Sequence, residues 1–285
     1  MRHLAVLPRF HPRRLARALA FAVALLAALG AGARAQSLTG NFDPPLDIRG
    51  VDLGVIESGS GQHKEVRCFY YPHFMVKEVD QLEIGASQLS ILASAPGMVP
   101  LCLQANMPGE HVIEPDAWSG YFLGAKDEYV VFRSADGANG GTGFAIFRSN
   151  DASLRFNGIA KGALRFNRTG LASMTVGYLR LHTADCSVPA KGESCVAAIA
   201  AATGAAPVTV EACRTGYGEK KRVRAHAWCE AHGRPPTPCI DDQVKTLTAL
   251  DAVPSVVVIP FELTLREDVA AERPTGTPSA CTPAD

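Results

Sequence analysis

Three residues with metal-ligand chemistry sit at equal steps in the stretch AHAWCEAH: His226, Cys229 and His232. Spacing of three keeps them along one side of a helix, and imidazole and thiolate are ligands that zinc takes. A thiolate binds metal only when it is not already half of a disulfide. Whether the trio is a metal site therefore depends on the compartment the chain occupies.

The N-terminus bears on that compartment. Basic residues open the chain, residues 18–33 are apolar and uncharged, and Ala33-Arg34-Ala35 has the small-x-small pattern of a signal-peptidase site. This order predicts an export signal over residues 1–35, cut before Gln36, and a secreted or periplasmic destination. The apolar run is shorter than the ~20 residues a spanning helix needs, which weighs against a retained anchor. Arg13-Arg14 lacks further twin-arginine context. The first cysteine, Cys68, is too far from the cut to carry a lipid there.

All eight cysteines, Cys68, Cys102, Cys186, Cys195, Cys213, Cys229, Cys239 and Cys281, lie beyond the cut. An even count in an exported chain reads as a disulfide framework. Cys68 and Cys102 stand apart from the rest in strand-like sequence and are expected to pair. Cys229 and Cys239 bracket GRPP, where one helix ends and the next begins, so a bridge across that bend is natural. Cys186–Cys195 and Cys213–Cys281 then remain. On this reading Cys229 is oxidised, the trio is scaffolding, and no metal or cofactor is expected. There is no C-x-x-C, hence no zinc ribbon, haem-attachment site or thioredoxin-type pair.

Other candidate chemistry is less specific. SADGANGGTGF (134–144) offers Asp136, Asn139 and backbone carbonyls to a calcium ion, but it lacks the acidic spacing of an EF-hand and reads more simply as a hairpin connection. Trp118, Tyr121 and Phe122, with Tyr70 and Tyr71, could form a platform for a sugar ring, although large aromatics in strands are mostly core. Lys220, Lys221, Arg222 and Arg224 read as a solvated helix face. His111 with Glu114 is a close acid–base pair next to Pro115. Asn167-Arg168-Thr169 fits a glycosylation sequon. H-E-x-x-H, G-x-S-x-G, Walker and penicillin-binding signatures are absent from the sequence.

The elements that must carry these residues change character along the chain. Residues 36–45 read as a flexible leader. From about 46 to 185, short apolar runs rich in β-branched and aromatic residues alternate with turn clusters, which predicts eight to ten strands. LRFNG (154–158) recurs as LRFNR (164–168), read as the two strands of one hairpin around GIAKGA. From about 187 to 252 the pattern becomes helical: SCVAAIAAATG, then a charged stretch at 218–233, then 239–251. SVVVIPFELTL (255–265) returns to strand, with Pro260 suggesting an edge or a bulge. The tail is rich in proline and threonine, yet Cys281 implies that it is pinned.

The fold expected is mainly β with α: an antiparallel β-sandwich or barrel-like body, with a disulfide-stapled helical insertion before the last strand. Residues 46–285 read as one domain. Beyond the signal the chain holds 22 basic and 28 acidic residues, which argues against a nucleic-acid binder and for a mildly acidic protein with no further membrane span. The expected function is a non-catalytic binding or interaction module of the cell envelope or extracellular space, its ligand or protein partner undefined. A hydrolase with a dispersed site is the alternative. An outer-membrane barrel fits poorly, because the strands are uneven and the helices carry cysteines.

Overall fold

The computed structural model describes residues 38–55, 63–95, 97–170, 173–267 and 269–285. The expected export signal, residues 1–35, lies outside the described residues. Gln36–Asp285 forms one compact unit. Strand outweighs helix, 46% against 23%.

Among the described residues the strands form two sheets, which favours a sandwich-like body over a single barrel. The smaller follows chain order: β2 (Asp47–Val55), β3 (His63–Tyr70), β4 (Phe74–Asp80), β5 (Gln88–Ala93) and β6 (Glu110–Ile113), all antiparallel. The larger runs β13 (Ala270–Pro274), β12 (Ser255–Arg266), β11 (Ser173–Thr183), β10 (Leu154–Gly170), β9 (Gly141–Arg148), β8 (Tyr129–Ala138) and β7 (Tyr121–Lys126). Two short strands join it from the side, β1 (Thr39–Gly40) on β10 and β14 (Ala280–Pro283) on β12.

Period-two alternation divides the larger sheet between two cores. From β8 and β9, Val130, Phe132, Ala145 and Phe147 face the smaller sheet's Tyr71, Phe74, Val76 and Ile91. Their neighbours Val131, Phe144 and Ile146 join β10–β12 and the helices in the other core. A third cluster, Val66, Cys68, Tyr70, Met75 and Val79, lies on the outer face of the smaller sheet, with Cys102 and Met107 packed against it.

The helices fall between β11 and β12: α1 (Val188–Lys191), α2 (Glu193–Thr203), α3 (Val210–Ala231) and α4 (Pro236–Thr246), then a 3-10 turn at Leu247–Ala252. The alanine run of α2 stops at Gly204, whose left-handed conformation (φ 66°) lets its N–H close on Ala200 O. Helix α3 starts earlier than the charged stretch alone implies, because Thr209 Oγ1 accepts from Ala212 N and caps it. Val188, Val196, Ile199, Cys213 and Tyr217 bring the helices into the larger core, and the Tyr217 hydroxyl donates to Val253 O at 2.7 Å.

Four disulfides close this framework: Cys68–Cys102, Cys186–Cys195, Cys213–Cys281 and Cys229–Cys239. They coincide with the pairs expected from spacing, and no described cysteine is free. Cys213–Cys281 fastens the C-terminal strand to α3, so the tail is ordered despite its composition. At the same crossing Gly216 faces the Cys281 carbonyl so closely that a β-carbon would overlap it. Gly216→Ala is therefore expected to cost about 2–3 kcal/mol by overpacking, although alanine favours helix, measurable as a lower urea midpoint.

Four expectations need correction. LRFNG and LRFNR are not two strands of a hairpin but the two halves of the single strand β10. Its first half pairs with β9, and its second half with β11. A register shift lies between Lys161 and Arg165, where β1 pairs in parallel at Ala163 and Leu164. Gly162, at φ 82°, supplies the backbone freedom that lets the strand change partners. Residues 36–45 are not a flexible leader over their described part: Leu38 is buried, Thr39–Gly40 is a strand, and Asp43 N donates to Ala125 O at 2.8 Å.

Pro260 marks neither an edge nor a bulge. It pairs with Leu179 inside the sheet, and Thr275 N donates to its carbonyl. That carbonyl, and with it the side on which the proline lacks an N–H, faces the gap between β14, opposite 255–258, and β13, opposite 261–265. Nor is 255–265 the last strand, since β13 and β14 follow it and complete the sheet.

Candidate functional site

At one end of the sheets, several turns from distant parts of the chain surround a cleft of about 730 Å³. Its lining combines Asp43 and Leu46, the β3–β4 turn (71–74), Asp127 and Glu128 between β7 and β8, Arg148 at the end of β9, Arg168 on β10 and Glu267 after β12.

Local sequence explains how each part is held. The β3–β4 connection is tight: Tyr71 N donates to Phe74 O at 2.8 Å, with Pro72 between them fixing φ. That turn stacks the Tyr71 and Phe74 rings at 4.7 Å, a flat aromatic wall at the cleft. Between β7 and β8 only two residues turn the chain, and Asp127 takes φ 52°, a conformation aspartate tolerates better than most residues.

Asp43 ties the leader to that turn. One carboxylate oxygen meets Lys126 Nζ at 2.5 Å and the other accepts from Asp127 N at 2.8 Å. Partial burial works against the charge, but these donors and the nearby Arg168 outweigh it and hold the Asp43 carboxyl below its ordinary range. Burial, with the charge of Asp43 next, pushes the Tyr71 hydroxyl up to about 12. At neutral pH the wall is therefore an un-ionised phenol beside a fixed carboxylate.

The opposite side is built on Arg148, whose Nη2 donates to the Glu267 carbonyl at 2.8 Å and whose Nε lies 3.8 Å from Asp151. Ser149 N donates to Glu128 O at 2.8 Å, which fixes the start of the β9–β10 turn. Arg168 Nε lies 3.6 Å from Asp127, with its side chain 61% exposed. His73, Glu128 and Glu267 are exposed at the rim, and their side chains form no ion pair among the described residues. The cleft thus offers carboxylates, guanidinium groups and an imidazole around an aromatic and proline-lined wall.

No known protein family, characterised protein or solved structure matches this chain. The residues of the site must carry the functional reading by themselves.

The candidates read from sequence lie elsewhere, apart from Tyr71 and from Arg168, the middle residue of the Asn167-Arg168-Thr169 triplet on β10. Cys229 is bonded to Cys239, His226 lies 3.9 Å from Glu230, and His232 stacks on Trp228 with centroids 4.0 Å apart. That trio is helix scaffolding, and no group of three potential metal ligands occurs among the described residues. The glycine-rich stretch 134–144 is a two-residue hairpin turn: Asn139 and Gly140 have φ of 54° and 75°, the signature of a type I′ connection between β8 and β9. Its Asn139 Nδ2 donates to Thr183 Oγ1 and its Oδ1 accepts from Asp285 N, so the side chain is spent on structure.

The aromatic set is divided. Trp118 and Phe122 pack on the inter-sheet core, and Tyr70 donates to Pro100 O under the outer loop. Tyr121 lies beneath the Arg133 guanidinium, with its hydroxyl accepting from Gly85 N. Tyr71 alone of the five lines the cleft. His111 and Glu114 are exposed at the end of β6. In the basic run, Lys220 pairs with Asp285 and Lys221 with Asp251, leaving Arg222 and Arg224 to solvent.

Proposed function

We propose that the protein is an exported, non-catalytic binding protein of the cell envelope or extracellular space, and that the end cleft holds a saccharide. The single observation that carries this reading is the cleft itself. Its volume, about 730 Å³, lies well inside the roughly 300–1,000 Å³ usual for small-ligand pockets. Its lining matches two needs of a sugar. Carboxylates and guanidinium groups can fork neighbouring hydroxyls, while the exposed Pro44, Leu46 and Pro72, beside the edge of the buried Tyr71, offer surface to the apolar face of a ring. Four disulfides suit an oxidising compartment.

The test is calorimetric titration of the purified protein with a panel of neutral and charged oligosaccharides. Binding with a dissociation constant between about 1 μM and 1 mM is expected for at least one. Glu128→Ala and Arg168→Ala should each weaken it by about tenfold without shifting Tm, because both side chains are exposed. The saccharide should be recovered intact afterwards. Silence across the panel would end the reading, and cleavage products would replace it with the hydrolase alternative.

A further inference from the structure

The smaller sheet ends on one side at β2, and the surface beside that edge is unusually apolar. Leu46 and Ile48 are 72% and 57% exposed, and Met98, Val99 and Leu101, on the loop carrying Cys102, are exposed as well. Leu46, Met98 and Val99 line one shallow groove with Asp47, Arg49 and Tyr70. The loop is held there by Cys68–Cys102 and by Tyr70 Oη on Pro100 O, so this surface is built into the fold. Clustered apolar side chains on a rigid edge mark an interaction surface.

Strand geometry identifies which backbone groups of β2 remain available. Tyr71 N bonds to Phe74 O across the β3–β4 turn, which by alternation turns Phe69 toward β4 and Tyr70 and Cys68 toward β2. Asp47 and Arg49, opposite Tyr70 and Cys68, then spend their backbone groups on β3, and those of Ile48 face outward. The bond from Ile48 N to the Asp47 side chain at 2.9 Å, rather than to β3, agrees with this.

We infer that β2 pairs with β2 of a second copy of this chain, antiparallel and centred on Ile48. The charge pattern Asp47-Ile48-Arg49 is complementary to itself when reversed. In that register each Asp47 lies opposite the partner copy's Arg49, on both sides of an Ile48 pair. Leu46 lies at the bend just before β2, its N–H spent on Tyr70 O at 2.7 Å, so it adds its exposed side chain at the end of the seam, on the side of the other copy's Gly50, and not a further backbone pair. A two-fold axis normal to the sheet requires such a residue-centred register, and the neighbouring centres fit worse. Centring on Arg49 opposes like charges, and centring on Gly50 sets Ile48 against Asp52.

Pairing exchanges bonds rather than only adding them. In the single chain the Asp47 carboxylate holds Ile48 N and its own Arg49 Nε, the latter at 2.8 Å. In the pair, Ile48 N turns to the Ile48 carbonyl of the other copy, and Asp47 to its Arg49. The net gain is then the burial of Leu46, Ile48 and the adjoining loop residues, which predicts a reversible dimer.

Sedimentation equilibrium on the purified protein should therefore show a monomer–dimer equilibrium with a dissociation constant of about 1–100 μM. Asp47→Arg and Arg49→Asp should each weaken it at least about tenfold, since each places two like-charged pairs at the seam. The double exchange should restore it to within about threefold. Ile48→Lys should abolish it, with Tm recorded to show that every variant is folded. A protein that stays monomeric to several hundred micromolar, or a dimer indifferent to Ile48→Lys, overturns the inference. A double exchange no better than either single one overturns the register.

Discussion

Replacing Cys213 and Cys281 together by serine is expected to lower the unfolding free energy by about 4 kcal/mol, read from urea melts of the oxidised protein. The bridge spans 68 residues, the longest separation of the four. In the chain-entropy model, loss of such a cross-link restores that much freedom to the denatured ensemble. The bridge also lies at a structural crossing: Cys213 and Cys281 are both buried in the larger core, where α3 meets β14. Releasing it should leave β14 held on β12 only by its short ladder, Val257 opposite Cys281 at its middle. Hydrogen exchange should then show the amides of 280–283 opening well before those of β12. The Cys229–Cys239 bridge spans 10 residues at the end of α3, and its removal should cost about 3 kcal/mol with no effect on β14. A C-terminal strand that kept its protection without the 213–281 bridge would remove this account.

The elements that could be read from sequence are those whose cause is local. Cysteine spacing indicated the pairs because three of the four bridges close short or isolated segments. The alternation of apolar residues from 46 to 185 indicated strands because each strand buries a face and spends one residue in two on it. Other readings failed where the deciding contact was remote. LRFN recurs because β10 exchanges one neighbour for another at Lys161–Arg165. Nothing local distinguishes that from a hairpin, since glycines serve both. Pro260 is tolerated because two separate outer strands leave a gap opposite it, a fact fixed by the tail. The leader is anchored by Ala125, Lys126 and Asp127, over 80 residues away along the chain.

The cleft was the least legible part for the same reason. Asp43, His73, Glu128, Arg148, Arg168 and Glu267 come from six separate segments, and each alone is an ordinary polar residue in or near a connection. Among the sequence candidates only Tyr71, and Arg168 as the middle of the 167–169 triplet, reach it. A faint signal was present in Asp127-Glu128, a polar two-residue turn between β strands, but it indicates a hairpin and not what gathers around it.

The second large effect is expected at a charge that sequence reading passed over. Lys77→Met should cost about 3–5 kcal/mol at neutral pH, because it leaves the Glu110 carboxyl inside the protein without its counter-charge. Lys77 is 1% exposed on β4, opposite Cys68, and its ammonium lies 2.6 Å from Glu110 Oε1 and 3.2 Å from Ala105 O. Glu110 in turn accepts from the Ser90 hydroxyl and, at 2.8 Å, from Met107 N. The pair thus fastens the loop after Cys102 onto the sheet's outer face. Burial works against the Glu110 charge, but Lys77, Ser90 and the Met107 amide outweigh it and hold the carboxyl below its ordinary value. A carboxyl lowered by folding adds stability above its unfolded pKa, about 4.3, and that contribution is lost as pH falls through the lower folded value. In Lys77→Met the ammonium is gone and burial prevails, so Glu110 should fold with a proton and penalise the native state increasingly as pH rises above about 4.3. The stability gap between wild type and Lys77→Met should consequently be widest near pH 7.5 and shrink toward pH 4. Lys77→Met/Glu110→Met should be more stable at pH 7.5 than the single variant, because it buries no charge. Urea melts of the three proteins from pH 4 to 8 decide the matter. A gap that does not change with pH would mean that lost packing, and not the stranded carboxylate, sets the cost.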